Sequence, residues 1–206
     1  MPGTIQDLFG SADAFTKACA DFKTLGFTDI CTAQTITAAA AIEVEMHDRA
    51  PIPARAERND ATMAYSAGIV PLVPAALSLL SDPDLTGPLQ ALTGKRPVLS
   101  EDMSCITIYE PGDRLGPHLD QPADRCAVTC ILYLSCQSPD PDAPDSGLQL
   151  KVYGADRASI LFPARHSIRT RPGRLVLGRG SQVWHERPAL RAGERVMALT
   201  ACFGAA

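Results

Sequence analysis

The chain has 206 residues, of which 46% are hydrophobic, and it carries a formal net charge of −4 at pH 7. The hydrophobic content excludes a disordered chain, and the length predicts a single globular domain over residues 1–206. The acidic balance argues against a nucleic-acid-binding surface, and no apolar run reaches the roughly 18 residues of a membrane span.

The N-terminal segment and the cysteines predict a cellular location. Residues 1–8 lack the basic and apolar regions of a secretory signal, so a cytoplasmic location is expected. Seven cysteines occur, and no two of them form a Cys-x-x-Cys pair. In a chain with no secretory signal they are expected to be reduced and mostly buried thiols. The sequence carries no signal for an oligomeric state.

Residues 1–96 are predicted to be rich in helix. Four helices are indicated by apolar residues at helical spacing and by flanking turn residues. These helices are expected at Asp7 to Phe22, Thr35 to His47, Val73 to Leu80 and Leu85 to Leu92. A short strand is expected at Phe27 to Thr32, and the prolines and charges of Pro51 to Thr62 predict a loop.

Residues 97–206 are predicted to form short strands joined by turns. The expected strands are 104–109, 128–135, 147–153, 158–162, 174–177, 182–185 and 195–203. Pro139 to Asp145 predicts an acidic, proline-rich loop between two of them. Seven or so short strands behind a helical layer are typical of an α+β protein with a jelly-roll, cupin-like core. We therefore expect a double-stranded β-helix over residues 97–206, with residues 1–96 supplying helices that cover its larger sheet.

A His-x-Asp pair at His118 and Asp120 is the most informative motif. Residues i and i+2 point roughly 200° apart on a helix but share one face of a strand. The flanks of the pair are strand-like, so it is predicted at the mouth of a hairpin. With His185 it can supply the two imidazoles and one carboxylate that mark non-haem Fe(II) oxygenases. Arg195, ten residues after His185, can hold a dicarboxylate co-substrate, with Arg187 and Arg191 as the alternatives.

Several residues have competing interpretations. A lone His-x-Asp is a weak signal, because most histidines near carboxylates are ordinary polar pairs. His47 lies in a predicted helix among charged residues and is expected at the surface. His166 is the rival to His185 as third ligand, although no basic residue follows it at a suitable spacing in a strand. Cys126 and Cys130 share a strand face, where small buried hydrophobic residues are favoured over a metal site.

The segment from His118 to Ser135 resembles the core of the Fe(II)/2-oxoglutarate-dependent dioxygenases. Within that superfamily it is most similar to the prolyl 4-hydroxylase-like branch, which includes the hypoxia-sensing prolyl hydroxylases. Three further blocks resemble the family pattern, and the resemblance covers residues 105–203. These blocks are Tyr109-Glu-Pro-Gly, Ser146-Gly-Leu-Gln-Leu, and Trp184-His185-Glu followed by Gly193-Glu-Arg195. Arg195 lies ten residues after His185, where the hypoxia-sensing branch has nine, and one extra loop residue is expected to absorb the difference.

The resemblance implies a role for each matching residue. The catalytic residues and Fe(II) ligands would be His118, Asp120 and His185. Arg195 would pair with the distal carboxylate of 2-oxoglutarate through a bidentate contact. Tyr109 and Tyr133 would hydrogen-bond the same co-substrate, and strand parity places Thr107 on the same face as Tyr109. Arg125 and Gln121 are the candidate contacts for the substrate.

The implied activity is hydroxylation of an unactivated C–H bond with O2, with release of succinate and CO2. We expect a small, amino-acid-like metabolite that bears a carboxylate, held by the arginine-rich stretch between Arg165 and Arg191. A solvated basic edge is an equal interpretation of that stretch. A peptidyl-prolyl substrate is the alternative that the branch and Arg125 favour. A non-catalytic metal-binding β-barrel is a third hypothesis, and Arg195, Tyr109 and Tyr133 argue against it.

Overall fold

The computed structural model describes residues 8–57, 64–140 and 142–205, apart from the side chain of residue 57. The α-helices within these ranges are α1 (Ala12–Thr24), α2 (Ala33–Glu45), α3 (Pro74–Ser81) and α4 (Pro83–Thr93). Its strands are β1 (Phe27–Ile30), β2 (Ile52–Glu57), β3 (Ala64–Val70), β4 (Pro97–Tyr109), β5 (Arg114–His118), β6 (Val128–Gln137), β7 (Gln149–Val152), β8 (His166–Arg169), β9 (Leu175–Gly178), β10 (His185–Arg187) and β11 (Arg195–Ala205). No helix within these ranges is long and apolar enough to cross a membrane.

Local sequence signals fix the ends of the helices. The Ser11 side chain accepts a hydrogen bond from the backbone N–H of Ala14 at the start of α1, and Thr32 forms a capping box with Thr35 at the start of α2. The helix α4 ends at Gly94, whose φ of 70° is readily adopted by glycine. All four predicted helices are present, although position 7 of the first lies outside the described residues.

The predicted loop at 51–62 is partly wrong. The strands β2 and β3 form an antiparallel hairpin there, with Ile52 opposite Ile69, while positions 58–62 lie outside the described residues. The prolines of this segment suggested a loop because proline cannot donate to a sheet ladder. Among the described strands, β2 pairs only with β3, and an edge strand tolerates proline. The first 96 residues therefore contribute three strands to the sheet as well as helices.

The described strands form one sheet whose order is β1-β9-β6-β11-β4-β3-β5-β10-β7-β8, with β2 on the outer edge of β3. The long strand β11 lies between β4 and β6. The strand β3 connects two parts of the sheet, because residues 68–70 pair with β4 and residues 65–66 pair with β5. The sheet thereby curls into a nearly closed barrel. This arrangement confirms the predicted α+β fold with a double-stranded β-helix core.

Two predicted strands differ in detail from the structure. The expected strand 158–162 is wrong, because Arg157–Leu161 form a 3-10 helix. Asp156 caps this helix, and its side chain accepts a hydrogen bond from the backbone N–H of Ala158. The neighbouring strand is β8 instead, in the stretch that contains His166. The expected strand 182–185 is displaced towards the C-terminus as β10, which begins at His185.

Strand alternation divides the buried residues into two clusters. One cluster packs the helices against the outer face of the larger sheet, and includes Ile42, Leu80 and Leu132. The other lies inside the barrel and includes Ile131 and Tyr133. Residues 131, 132 and 133 of β6 alternate between the clusters because successive side chains of a strand point to opposite faces. The interior cluster forms the floor of the candidate site.

The prediction that all cysteines are reduced is wrong for one pair. Cys126 and Cys202 form a disulfide that links the segment before β6 to β11, across a sequence separation of 76 residues. Cross-links that close long loops typically stabilise a fold by about 2–4 kcal/mol. Among the remaining cysteines, Cys130 is buried and Cys31 is exposed. The pairing was not predicted because Cys126 and Cys202 are far apart in sequence and meet only through the register of β6 and β11.

Candidate active site

Two adjacent strands bring two predicted ligands together. The strand β5 ends at His118 and β10 begins at His185, and their antiparallel register places these residues opposite each other. The ring centroids lie 4.2 Å apart, and both side chains are buried. Directly opposed residues of an antiparallel pair project from the same face, so both imidazoles reach the interior of the barrel.

Asp120 completes the group. Its Oδ1 lies 3.2 Å from His118 Nε2, and its Oδ2 lies 3.7 Å from His185 Nε2. The three candidate ligand atoms all lie within 4.8 Å of one another. The structure therefore brings together the three residues that the sequence analysis selected as metal ligands.

Backbone contacts orient both imidazoles for metal binding. His118 Nδ1 lies 2.9 Å from the carbonyl oxygen of Gly116, and His185 Nδ1 lies 3.0 Å from that of Val183. A carbonyl oxygen can only accept, so each Nδ1 carries the proton in these contacts. Each Nε2 is then left to bind a cation that lies between it and Asp120. A ring N–H held by a backbone carbonyl is the arrangement that histidine ligands usually show.

The electrostatics of the group favour the protonation states that bind metal. Burial lowers the pKa of His185 to about 4, assisted by the neighbouring His118. Burial alone would raise the pKa of Asp120, but the imidazoles of His185 and His118 and the hydroxyl of Thr129 together hold it well below its usual range. A neutral imidazole and an ionised carboxylate are the forms that coordinate a cation. The donor set, two imidazole nitrogens and one carboxylate, fits Fe(II).

A cavity of about 260 Å³ opens beside the three residues. Its polar lining includes Thr107, Tyr109, Gln121, Arg187 and Thr200, and its apolar lining includes Leu115, Leu119, Ile131, Leu150 and Ala198. Cys105 and Thr129 also contribute. Among the described lining residues, Arg187 is the only lysine or arginine.

Arg187 places a buried positive charge in this cavity. It is two residues after His185 on β10, so both side chains point to the same face, and it is only 4% exposed. Its Nη2 donates to the Tyr133 hydroxyl at 2.7 Å, and its Nη1 to Thr170 Oγ1 at 3.3 Å. None of the described carboxylates lies within salt-bridge distance of it. A buried guanidinium held only by neutral groups fits an anionic ligand.

The structure does not place Arg195 in the cavity. Its side chain is 49% exposed at the start of β11, and its Nε donates to Glu110 Oε1 at 2.7 Å. The neighbouring residues that face the cavity from β11 are Ala198 and Thr200. Arg195 is an odd number of positions from Ala198 along the strand and therefore points to the opposite face. The expectation that Arg195 grips a co-substrate here is wrong in position, and Arg187 provides the charge.

The other predicted co-substrate contacts lie at or beside the cavity. Tyr109 and Thr107 line it from β4. Tyr133 is fully buried behind Arg187 and reaches the cavity through that side chain. The Arg187 guanidinium lies over both tyrosine rings, 5.2 Å from the Tyr109 centroid and 5.1 Å from that of Tyr133. Burial raises the pKa of Tyr109 to about 12 against the opposing effect of Arg187, so its hydroxyl stays protonated as a donor.

Of the two predicted substrate contacts, Gln121 lines the cavity and Arg125 does not. Arg125 is exposed and paired with Asp102, and exposed ion pairs of this kind contribute little. The arginine-rich stretch is also directed elsewhere, apart from Arg187. Three of its members, Arg171, Arg174 and Arg191, pair with Asp142, Asp29 and Asp145 respectively. These arginines are therefore not available in the cavity to grip a substrate carboxylate.

The two remaining histidines stay outside the ligand group. His47 is exposed just after α2, as predicted. His166 is half-buried at the start of β8, opposite Val152 of β7. Neither residue lines the cavity.

Tyr65 is a cavity residue that the sequence analysis missed. It lies on β3, opposite Leu115 of β5, and lines the same cavity. Burial raises the pKa of its hydroxyl well above the usual range. The segment just before it was predicted to be a loop, so no strand parity was available to place it. The alternation Tyr65-Ser-Ala-Gly-Ile-Val could have signalled a half-buried strand.

Comparison with solved structures relates this fold to known oxygenases. The chain is 20% identical to a prolyl-4-hydroxylase from Pseudomonas putida, with 93% of this chain and 99% of that chain covered and a TM-score of 0.63. It is 15% identical to an oxidoreductase of the 2OG-Fe(II) oxygenase family from Burkholderia pseudomallei, with 92% and 90% covered and a TM-score of 0.69. It is 16% identical to the epimerase SnoN of nogalamycin biosynthesis, in complex with Fe3+, alpha ketoglutarate and nogalamycin RO, with 95% and 85% covered and a TM-score of 0.64.

No protein-family model matches the chain, and no curated protein matches it. The structural likenesses, at these low identities, show that the chain has the double-stranded β-helix fold of the 2OG-Fe(II) oxygenases. Prolyl hydroxylases are among the proteins that share it, in agreement with the branch resemblance of the sequence.

Proposed function

We propose that this protein is an Fe(II)- and 2-oxoglutarate-dependent dioxygenase that hydroxylates an unactivated C–H bond of a small molecule. The observation that carries the proposal is the pairing, in one cavity, of a His-Asp-His group with a buried arginine that has no carboxylate partner among the described residues. A metal-binding barrel without catalytic activity would not need Arg187, whose burial without an anionic partner is costly.

The three ligands would hold iron from one side. His118 and His185 would coordinate through Nε2, because their Nδ1 atoms are engaged with backbone carbonyls. Asp120 would supply the carboxylate oxygen. Bound there, Fe(II) would activate O2 for oxidation of the substrate as 2-oxoglutarate is converted to succinate and CO2.

Arg187 would hold the distal carboxylate of 2-oxoglutarate. Its Cα lies two strand residues, or about 6.6 Å, from that of His185, a span that suits a five-carbon dicarboxylate with its other end at the metal. Tyr133 and Thr170 accept hydrogen bonds from Arg187 and fix the guanidinium plane. Tyr109 lines the same part of the cavity and would donate its hydroxyl proton to the co-substrate.

The size of the cavity supports a small substrate. A volume of about 260 Å³ lies just below the usual range of ligand pockets, and the co-substrate would take part of it. If Arg187 binds 2-oxoglutarate, the polar groups that remain in the cavity for the substrate are neutral, and they include Gln121 and Tyr65. We therefore propose an amino-acid-like metabolite whose polar groups meet these neutral side chains, rather than a carboxylate gripped by the arginine-rich stretch.

A peptidyl-prolyl substrate is the second candidate. It is favoured by the shared fold with a prolyl-4-hydroxylase. Arg125 does not favour this substrate, because it pairs with Asp102 and does not reach the cavity. The epimerase SnoN, which shares the fold, is in complex with nogalamycin RO rather than with a peptide.

Succinate release in the presence of Fe(II) and 2-oxoglutarate tests the substrate. The panel would hold free amino acids, their carboxamides and proline-containing peptides. We expect stimulation by members of the first two groups, with the carboxamides at least equal to the acids because no arginine remains for the carboxylate. Stimulation by peptides alone would exclude the small-molecule assignment and favour the prolyl hydroxylase.

A further inference from the structure

We infer that Thr129 and Gly180 act as a clamp that makes Asp120 a ligand through one oxygen only. Thr129 engages Oδ2, and Gly180 provides the space that this contact requires. The inference rests on the proposed metal site, and it identifies two positioning residues that the sequence motif does not contain. Both act through Asp120 rather than on the substrate.

The contact of Thr129 with Asp120 separates the two carboxylate oxygens. Thr129 Oγ1 donates to Asp120 Oδ2, while Oδ1 lies 3.2 Å from His118 Nε2. Thr129 is only 3% exposed, so bulk water does not compete for its hydroxyl proton. A hydrogen bond to a charged acceptor in such surroundings is strong and directional. Oδ1 receives no hydrogen bond from Thr129, and it lies nearer to an imidazole nitrogen (3.2 Å) than Oδ2 does (3.7 Å).

The surroundings of Thr129 leave its proton no better acceptor. The Thr129 hydroxyl also lies 3.6 Å from Cys126 Sγ. This disulfide sulfur is a poor acceptor and carries no proton. Thr129 also lies opposite Cys202 on β11, and Cys202 is the other half of that disulfide. The cross-link therefore holds the strand segment that carries the hydroxyl.

Gly180 closes the other side of the clamp. Its carbonyl oxygen accepts from the backbone N–H of Asp120 at 3.0 Å. A Cβ at this position would overlap both Asp120 Oδ2 and Thr129 Oγ1 and would lie 2.9 Å from Asp120 Cγ. Gly180 is not among the glycines with a positive φ, so its backbone conformation does not require glycine. Glycine is required instead because the Asp120 carboxylate and the Thr129 hydroxyl approach it too closely for a Cβ.

Coordination through one oxygen has a chemical consequence. Two imidazoles and a single carboxylate oxygen leave three positions of a six-coordinate ion open. Two of these suit the chelating end of 2-oxoglutarate, and one remains for O2. A carboxylate that bound through both oxygens would occupy one of these positions. The clamp would thus protect the open positions that the reaction needs.

Thr129→Val, which keeps the shape and removes the hydroxyl, tests the clamp against Thr129→Ser, which keeps the hydroxyl. Binding of Co(II) to the metal-free protein would be measured with its visible absorption, which reports coordination number, and without 2-oxoglutarate. We expect Thr129→Val to weaken binding by about 10- to 100-fold and to alter the spectrum. Thr129→Ser should resemble the wild type. Equal affinity and spectra in all three proteins would overturn the inference.

Gly180→Ala provides the second arm, with Gly87→Ala as its matched control because a Cβ at Gly87 meets nothing within 4 Å. We expect Gly180→Ala to change the Co(II) spectrum and lower the affinity at least as much as Thr129→Val, and Gly87→Ala to change neither. Circular dichroism would verify that each variant is folded. Unaltered binding in Gly180→Ala would overturn the clamp and leave the proposed function standing. A wild-type protein that binds no Co(II) or Fe(II) would overturn both.

Discussion

Replacing Arg187 by methionine is expected to raise the KM for 2-oxoglutarate by roughly 100-fold or more, while metal affinity is retained. Methionine fills similar space without the charge, so the change isolates the ionic contact. Loss of one partner from a buried ion pair costs about 3–5 kcal/mol, and each 1.4 kcal/mol is about tenfold in affinity. Initial rates of 2-oxoglutarate consumption, with Fe(II) affinity measured separately, would give both quantities.

Arg195→Met is the matched control for this prediction. Arg195 is half exposed and paired with Glu110, and exposed pairs contribute about 0–1 kcal/mol. Its loss should leave the KM for 2-oxoglutarate within a few-fold of the wild-type value. The assignment of the co-substrate anchor would be wrong if Arg195→Met lost co-substrate binding and Arg187→Met kept it.

Each of the single changes His118→Ala, Asp120→Ala and His185→Ala is expected to abolish turnover and to weaken Fe(II) binding severely. Each removes one of three donors whose atoms lie within 4.8 Å of one another. The measurement is equilibrium binding of Fe(II) under anaerobic conditions, followed by 2-oxoglutarate turnover in air.

His47→Ala and His166→Ala are the controls, because neither histidine belongs to the ligand group or lines the cavity. Both should bind Fe(II) and turn over as the wild type does. An inactive His166→Ala beside an active His185→Ala would show that the third ligand has been assigned to the wrong histidine.

The metal group could be predicted from sequence because its geometry is local. Two residues separated by one position share a face of an extended segment, so His118, the last residue of β5, and Asp120, in the loop after it, could be paired with little further information. The flanking strand-like segments supplied the context. The fold class followed in a similar way, from the succession of helices and short strands.

The proposed anchor for the co-substrate could not be selected over Arg195 in the same way, because strand parity is sensitive to a single residue. Arg195 lies ten residues after His185, where the resembling branch has nine, and the extra residue was expected to be absorbed in a loop. The structure instead shows Arg195 on the outward side of β11, while the inward positions hold Val196, Ala198 and Thr200. A shift by one residue exchanges the two faces of a strand.

Arg187 faces the cavity, whereas Arg195 does not. It lies two residues after His185, so once His185 faces the cavity on a strand, Arg187 must face it as well. The sequence predicted the strand as 182–185, which ends before Arg187, and this boundary error left Arg187 as only one of two alternatives to Arg195. The residues Thr129 and Gly180 are harder cases, since their contacts with Asp120 depend on β6 and the end of β9 meeting the loop after β5.

The absorption spectrum of the anaerobic Fe(II) protein, recorded as 2-oxoglutarate is added, tests directly whether iron and the co-substrate bind together at the proposed site. Chelation of iron by the co-substrate produces a weak visible band. We expect this band to develop in the wild type, to be absent in Asp120→Ala, and to require much more 2-oxoglutarate in Arg187→Met than in Arg195→Met. A wild-type protein that binds Fe(II) but develops no band at saturating 2-oxoglutarate would contradict the proposed function.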